Sequence, residues 1–278
     1  MKNVSKLILS TVLVVSAFTS CKKEEDGNNN GGGNQVNVTQ VQNALIVEPT
    51  ATWCGPCGTY GRPATELAIE GNSKAVAIYA HLKAPASDYP SQLGQDLAVI
   101  YGAANATGTS YSIPKIAVGN NITGAYTDLN YTANILKGWI NTLTAKTSNA
   151  NTKIEASISG NTLNVKTNTK FFADGQDSFT YKIAIYVTED NIAGRQYMTA
   201  SGSYQNITHN HVSRLCLSST VVGDELVSGK PSNGQVISKD FSGSIDAAWK
   251  KENLTVIAVI WRQKGNSLVF ENVDKIDL

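Results

Sequence analysis

The sequence predicts an α/β domain over residues 38–147 followed by an all-β, sandwich-like domain over residues 151–278. Three observations carry this reading. The length of 278 residues exceeds what one hydrophobic core usually serves. Before Thr147, short apolar runs alternate with segments of helical period. After it, apolar and polar residues alternate with the two-residue period of strands, broken by turns containing Gly and Asn. The composition, 41% hydrophobic and 16% charged, is that of a folded chain. Lys and Arg total 23 against 22 acids, a formal charge of +1 that gathers no nucleic acid, and no stripe of basic and aromatic residues reopens that possibility.

Taken in order, Lys2 and Lys6 precede an apolar run over 7–18 that is too short to span a bilayer and has the layout of a secretory signal, residues 1–20. Residues 27–35 are Asn, Gly and Gln with no large apolar side chain, so 21–37 reads as a flexible tether. The first strand is expected at 44–47. A helix after Cys57 carries Leu67 and Ile69, with Pro63 kinking or restarting it. Residues 75–80 form a short apolar strand suited to a mostly parallel sheet. A polar segment over 83–95 then leads to a helix at 96–104. Strands at 113–118 and 122–126 flank Gly119, Asn120 and Asn121, which is hairpin chemistry. Ile135, Leu136, Trp139, Ile140 and Leu143 repeat at helical spacing and close this half.

In the second half, Ile154, Ala156 and Ile158 alternate with polar residues, Gly160 and Asn161 turn the chain, and Leu163 and Val165 resume the alternation. Further strands are expected at 179–187, 255–261 and 267–270, with a helical turn at 245–250. No internal repeat is present.

The chemistry centres on residues 51–58, Ala-Thr-Trp-Cys-Gly-Pro-Cys-Gly. A Cys-x-x-Cys pair between a strand and a helix is a far stronger signal than a lone pair. This segment resembles the active site of the thioredoxin superfamily, and the order β, α, β, α, β, β, α of the first half agrees with it. The resemblance implies a thioredoxin-like domain. Cys54 would sit at a helix N-terminus, where free amides and the dipole favour a thiolate, and so would be the nucleophile. Cys57, one turn on, would resolve the mixed disulfide. Pro114, after Ile113, matches the family's cis-proline beside the dithiol. Glu48, six residues before Cys54, matches the buried acid that moves a proton of the second thiol; otherwise it is a half-buried surface acid. Trp53 belongs to the peptide-docking surface or to the core.

At the N-terminus Phe18, Thr19 and Ser20 lead into Cys21, which resembles the lipobox of bacterial lipoproteins. That implies a lipid on the Cys21 thiol and attachment to the membrane without spanning it. Residues 22–26 resemble a charged signal for surface export, or form a solvated linker. The whole chain resembles the lipoproteins related to a twenty-eight-kilodalton bacterial outer membrane protein. Residues 182–191, Arg195, Gln196 and 209–214 carry that likeness. It implies an outer membrane lipoprotein, facing the periplasm or the cell exterior, without defining its reaction.

The expected function is therefore a thiol–disulfide oxidoreductase of the cell envelope acting on protein disulfides, with an unknown electron donor or acceptor and no dissociable cofactor. Gly and Pro between the cysteines resemble the reducing members. The rival expectation is a surface binding module or adhesin that uses the same fold as a scaffold, and a third is a permanent disulfide. A zinc site lacks ligands once Cys21 carries lipid and Cys216 stands alone. His81, after the second strand, reads as a loop residue or one at the dithiol rim, His209 and His211 as a surface pair on one face if extended, and Cys216 as a buried apolar thiol.

Overall fold

One nine-stranded mixed sheet organises the fold, and its middle joins the two halves of the chain. The computed structural model describes residues 37–84, 87–176 and 178–278, so the expected signal, tether and lipid site at Cys21 lie outside the described residues. Strand β1 (Ala44–Thr50) is buried along its whole length. It pairs in parallel with β2 (Ala75–His81), from Ala44 opposite Ala75 to Thr50 opposite His81. Between them the chain passes through a π-helical turn, Cys57–Gly61, into α1 (Arg62–Ile69). Pro63 falls in the first turn of α1, directly after the π turn.

Helix α2 (Gln92–Ile100) begins earlier than the expected 96–104, because the Ser91 hydroxyl caps it by accepting from the Gly94 N–H at 2.9 Å. Strands β3 (Lys115–Val118) and β4 (Asn121–Gly124) form the expected hairpin, with Gly119 at φ 59° in its turn. Helix α3 (Leu129–Thr144), capped by Asp128, buries Leu136 and Ile140 against Ile46, Ile116 and Val118.

The second half consists of β5 (Ala150–Ser159), β6 (Thr162–Phe171), β7 (Thr180–Glu189), β8 (Ile192–Met198), β9 (Ser203–His209), β10 (Val212–Cys216), β11 (Asp224–Ser228), β12 (Val236–Ser244), β13 (Leu254–Lys264) and β14 (Ser267–Asp277). Alternation marked β5 and β6 in the sequence, and β7, β13 and β14 were expected as further strands. The pattern was silent for β8 to β12, most of whose solvent-facing residues are polar or small.

The two halves, expected as domains at 38–147 and 151–278, share one sheet within a single compact unit, Val36–Leu278. The large sheet runs β14-β13-β7-β10-β2-β1-β3-β4, with β11 also on β7. Strand β10 lies parallel to β2 with Val212 opposite Tyr79, and the Tyr79 N–H donates to the His211 carbonyl at 2.8 Å. An apolar strand such as β2 would otherwise present an open edge, and the second half covers it. A sandwich layer is present as well. The three-stranded sheet β12-β6-β5 lays Ile154, Leu163, Val165 and Phe241 on Ile183, Ile185, Val256 and Ile260 of the large sheet. The protein is β-rich, with only three α-helices among the described residues.

A polar seam closes the unit. Asn272 is fully buried on β14. Its carbonyl oxygen accepts from the Gln42 amide and the Asn43 and Val273 N–H groups, and its amide donates to Val41 O, Ala150 O and Ser148 Oγ, all within 3.2 Å. The C-terminal strand thereby ties the start of β1 to the connection between α3 and β5. Replacing Asn272 with Leu strands those buried partners, so stability to urea is expected to fall by about 3–5 kcal/mol. A loss below about 1 kcal/mol would show that the seam is dispensable.

Candidate functional site

Cys54 and Cys57 form a disulfide where β1 gives way to the π-helical turn, with 5.3 Å between their Cα atoms. The bend at 52–53 brings the Cys54 N–H onto the Ala51 carbonyl at 3.0 Å, and the Cys57 N–H points at Cys54 Sγ at 3.2 Å. The first sulfur thus receives a backbone amide. A π turn inside a helix is a feature frequent at functional sites. Ala51, both cysteines, Trp53 and Ile113 pack as a small apolar cluster.

The structure brings the other expected residues to this place. Trp53 is half-buried, its ring 6.3 Å from that of Tyr111. Its indole N–H is buried without a partner. The Ile113–Pro114 bond is cis. Gly61 ends the π turn against Glu48 and Pro114, where an added Cβ would come 2.9 Å from the Pro114 Cβ and overlap the Glu48 carboxyl.

Glu48 is fully buried, which removes the alternative of a half-buried surface acid. Thr65 donates to its Oε2 at 2.7 Å, and its Oε1 has no partner. Loss of water around the carboxyl outweighs the Thr65 hydrogen bond and the Arg62 charge and raises its pKa to about 8.

Three other expectations are corrected. His81 is the last residue of β2 and is buried. Its ring meets those of Tyr89 and His209 edge-on, at 5.4 and 5.8 Å, and burial followed by the nearby His209 and Arg214 lowers its pKa to about 3. His209 and His211 do not share a face, because His211 takes a left-handed backbone (φ 55°). His209 turns inward, its Nε2 3.3 Å from the Arg195 carbonyl, while His211 pairs with Asp190. Cys216 is half-buried rather than buried: it packs on the edge of the apolar core, and its thiol also meets the Ser218 hydroxyl at 3.2 Å. No group of three or more His, Cys, Asp or Glu among the described residues could hold a metal ion.

What covers the dithiol was not legible in the sequence. The β8–β9 hairpin, some 140 residues downstream, lies across it. Gln196 is buried, and its amide donates to the Cys54 carbonyl at 2.9 Å and the Ala51 carbonyl at 3.2 Å. The Tyr197 N–H donates to the Thr52 carbonyl at 2.8 Å. Beneath this cover Cys54 is 4% exposed and Cys57 1%.

Glu48 supplies a stability test whose sign follows from its position. Between pH 4.5 and about 8 the unfolded chain has released this proton while the folded chain keeps it, so stability falls as pH rises through that window. Wild type should therefore lose on the order of a few kcal/mol relative to Glu48→Gln between pH 5 and 8.5, read by urea unfolding. A constant difference between the two proteins would mean that the carboxyl ionises normally.

Comparison with known proteins adds the following. HBP35 of Porphyromonas gingivalis has a solved structure that superposes with a TM-score of 0.65 at 15% identity, over 86% of this chain and 76% of that one. A domain of the outer membrane lipoprotein Omp28 from Porphyromonas gingivalis aligns with 47% of this chain and 88% of its own, at 12% identity and a TM-score of 0.31. At these identities the likeness concerns fold alone and rests on HBP35. No curated protein matches the sequence. Residues 112–278, which hold Pro114 and the covering hairpin but not the dithiol, match the family model described as outer membrane protein Omp28. They make up more than half of the chain, which therefore belongs to the Omp28 family.

Proposed function

We propose that the N-terminal half is a thioredoxin-like α/β module and that the protein is a thiol–disulfide oxidoreductase of the cell envelope. The observation that carries this reading is the gathering of Cys54, Cys57, Trp53, Pro114 and Glu48 at one point between β1 and α1. The local strand order β2-β1-β3-β4, with β2 parallel and β3 antiparallel to β1, supports the module. The outer membrane placement of the family agrees with a lipid on Cys21, and the site then faces the periplasm or the cell exterior.

In the reducing direction, the Cys54 thiolate attacks one sulfur of a protein disulfide, and the other substrate sulfur leaves as a thiolate and takes up a proton. Cys57 then passes its proton toward Glu48 and attacks the Cys54 sulfur, which expels the second substrate thiolate. Two electrons move to the substrate and the Cys54–Cys57 disulfide remains. A dithiol reductant of the envelope returns the site to its reduced form. Glu48, with a pKa of about 8, lies close to the ordinary thiol value of about 8.5, which suits a proton exchanged between the two groups. Trp53 and the cis Ile113–Pro114 bond lie beside the dithiol, where they would orient a polypeptide substrate.

Purified full-length protein in detergent should catalyse insulin reduction by dithiothreitol, and Cys54→Ser should reduce the rate to that of the reductant alone. Equal rates for the two proteins would sink this reading. The burial of both sulfurs favours a second one, a binding module whose disulfide is permanent. That reading requires the bond to survive millimolar dithiothreitol in the native protein.

A further inference from the structure

We propose that the β8–β9 hairpin is a hinged cover of the dithiol, clasped by Gln196 and by the Asp88–Arg195 pair, and that exchange with a protein disulfide requires it to lift. The inference rests on the oxidoreductase reading for its purpose, though its geometry stands apart from it. The hairpin fits closely. An added Cβ on Gly58 would lie 2.6 Å from Gln196 Cγ and 2.7 Å from the Tyr197 carbonyl, so only glycine admits the strand this near the cysteines. Beyond Gln196 and Tyr197, the Thr199 N–H approaches the Gly55 carbonyl at 3.5 Å and the Ala200 N–H approaches Thr59 Oγ1 at 3.3 Å. At the other end Arg195 Nε donates to Asp88 Oδ2 at 3.1 Å, and Asp88 in turn takes its N–H to the Thr52 hydroxyl at 3.2 Å.

The same hairpin is built to detach. Strands β8 and β9 pair with each other and with no third strand, and an isolated two-stranded ribbon has little stability of its own. It meets the dithiol turn through hydrogen bonds that water can replace, beside the packing of Tyr197 and Met198 on Gly55 and Gly58 and of His209 on Tyr89. Both roots have unusual backbone: Asn191 at φ 57° precedes β8, and His211 at φ 55° follows β9. Left-handed backbone at residues other than glycine concentrates at switch regions, and here it brackets the movable segment. Below the roots the chain is fixed, since Val212 is held in the large sheet opposite Tyr79. Gln196 is thus a positioning residue. It secures the Cys54 backbone when the cover is down and releases it when the cover lifts.

The clasp can be tested at its rim, where Arg195 and Asp88 are partly exposed and a change does not disturb the core. Detergent-purified full chain is reduced with dithiothreitol, transferred to iodoacetamide, and alkylation of Cys54 is timed by peptide mass spectrometry. Arg195→Asp should speed alkylation about fivefold, and pairing it with Asp88→Arg should restore the rate to within about twofold of wild type. Gln196→Ala should speed it about tenfold or more. Unchanged rates in all variants, or an Arg195→Asp effect that Asp88→Arg fails to reverse, would overturn the cover. Insulin turnover measured on the same samples separates the two claims. Faster alkylation without turnover in any protein keeps the cover and ends the oxidoreductase reading. Normal turnover with unchanged alkylation does the reverse.

Discussion

The short pairing of β10 with β2 is the constraint on which the rest of the molecule depends. Val212 opposite Tyr79 is the one register point between them, and the His211 carbonyl beside it takes the Tyr79 N–H. From that junction β7 and β13 extend the sheet in one direction, while β1, β3 and β4 extend it in the other. The His81 N–H donates to Ser213 Oγ at 3.1 Å, and Ser213 meets Ser91 at 2.8 Å, so the cap of α2 is pinned to the same place. Sheet, helix and loop therefore meet in a buried hydrogen-bond network of the His81 backbone with the Ser91 and Ser213 hydroxyls.

That junction also decides where the hairpin goes. Strands β8 and β9 leave the sheet at the end of β7 and must return to it at β10, immediately beside the C-terminal end of β2. Parallel pairing places the end of β2 next to the end of β1, where Thr50 opposes His81 and the dithiol turn begins. A hairpin rising from this position has the dithiol turn within reach. The cluster of His81, Tyr89 and His209 fills the space between the hairpin and α2. Both imidazoles are held neutral, chiefly by burial, so they add apolar volume without charge.

Much of the site was legible in the sequence because it depends on local chemistry. Cys54, Gly55, Pro56 and Cys57 are contiguous, Glu48 lies on the strand that leads into them, and Ile113–Pro114 opens the next strand. What failed was long-range. Nothing in the alternation of residues 151–278 distinguishes a strand that pairs within its own domain from one that crosses to another, because β10 needs only an apolar Val212 and a small Ser213 to join β2. The hairpin was unreadable for a different reason. Gln196 looks like any polar strand residue until its amide is seen on the Cys54 carbonyl, a contact across 142 positions. Arg195 and Gln196 did carry the family likeness, yet a likeness names residues without saying what they touch. His81 was misread because the polar segment after it hid the fact that it ends a buried strand.

Covering a dithiol with a segment of the same chain changes what the motif demands of a partner. On the proposed reading, a protein disulfide competes with an intramolecular occupant, whose effective concentration is in the millimolar range for a short connection. The competition is winnable because of how the cover is held. Were it fixed by buried leucines, lifting it would expose apolar area at about 25 cal/mol per Å². Over the dithiol turn it is held by amide and guanidinium donors on carbonyls and a carboxylate, and a substrate backbone or water offers those groups nearly equivalent partners. An extended peptide could satisfy the Thr52 and Gly55 carbonyls that Tyr197 and Thr199 now occupy, so on the proposed reading the substrate replaces the hairpin bond for bond.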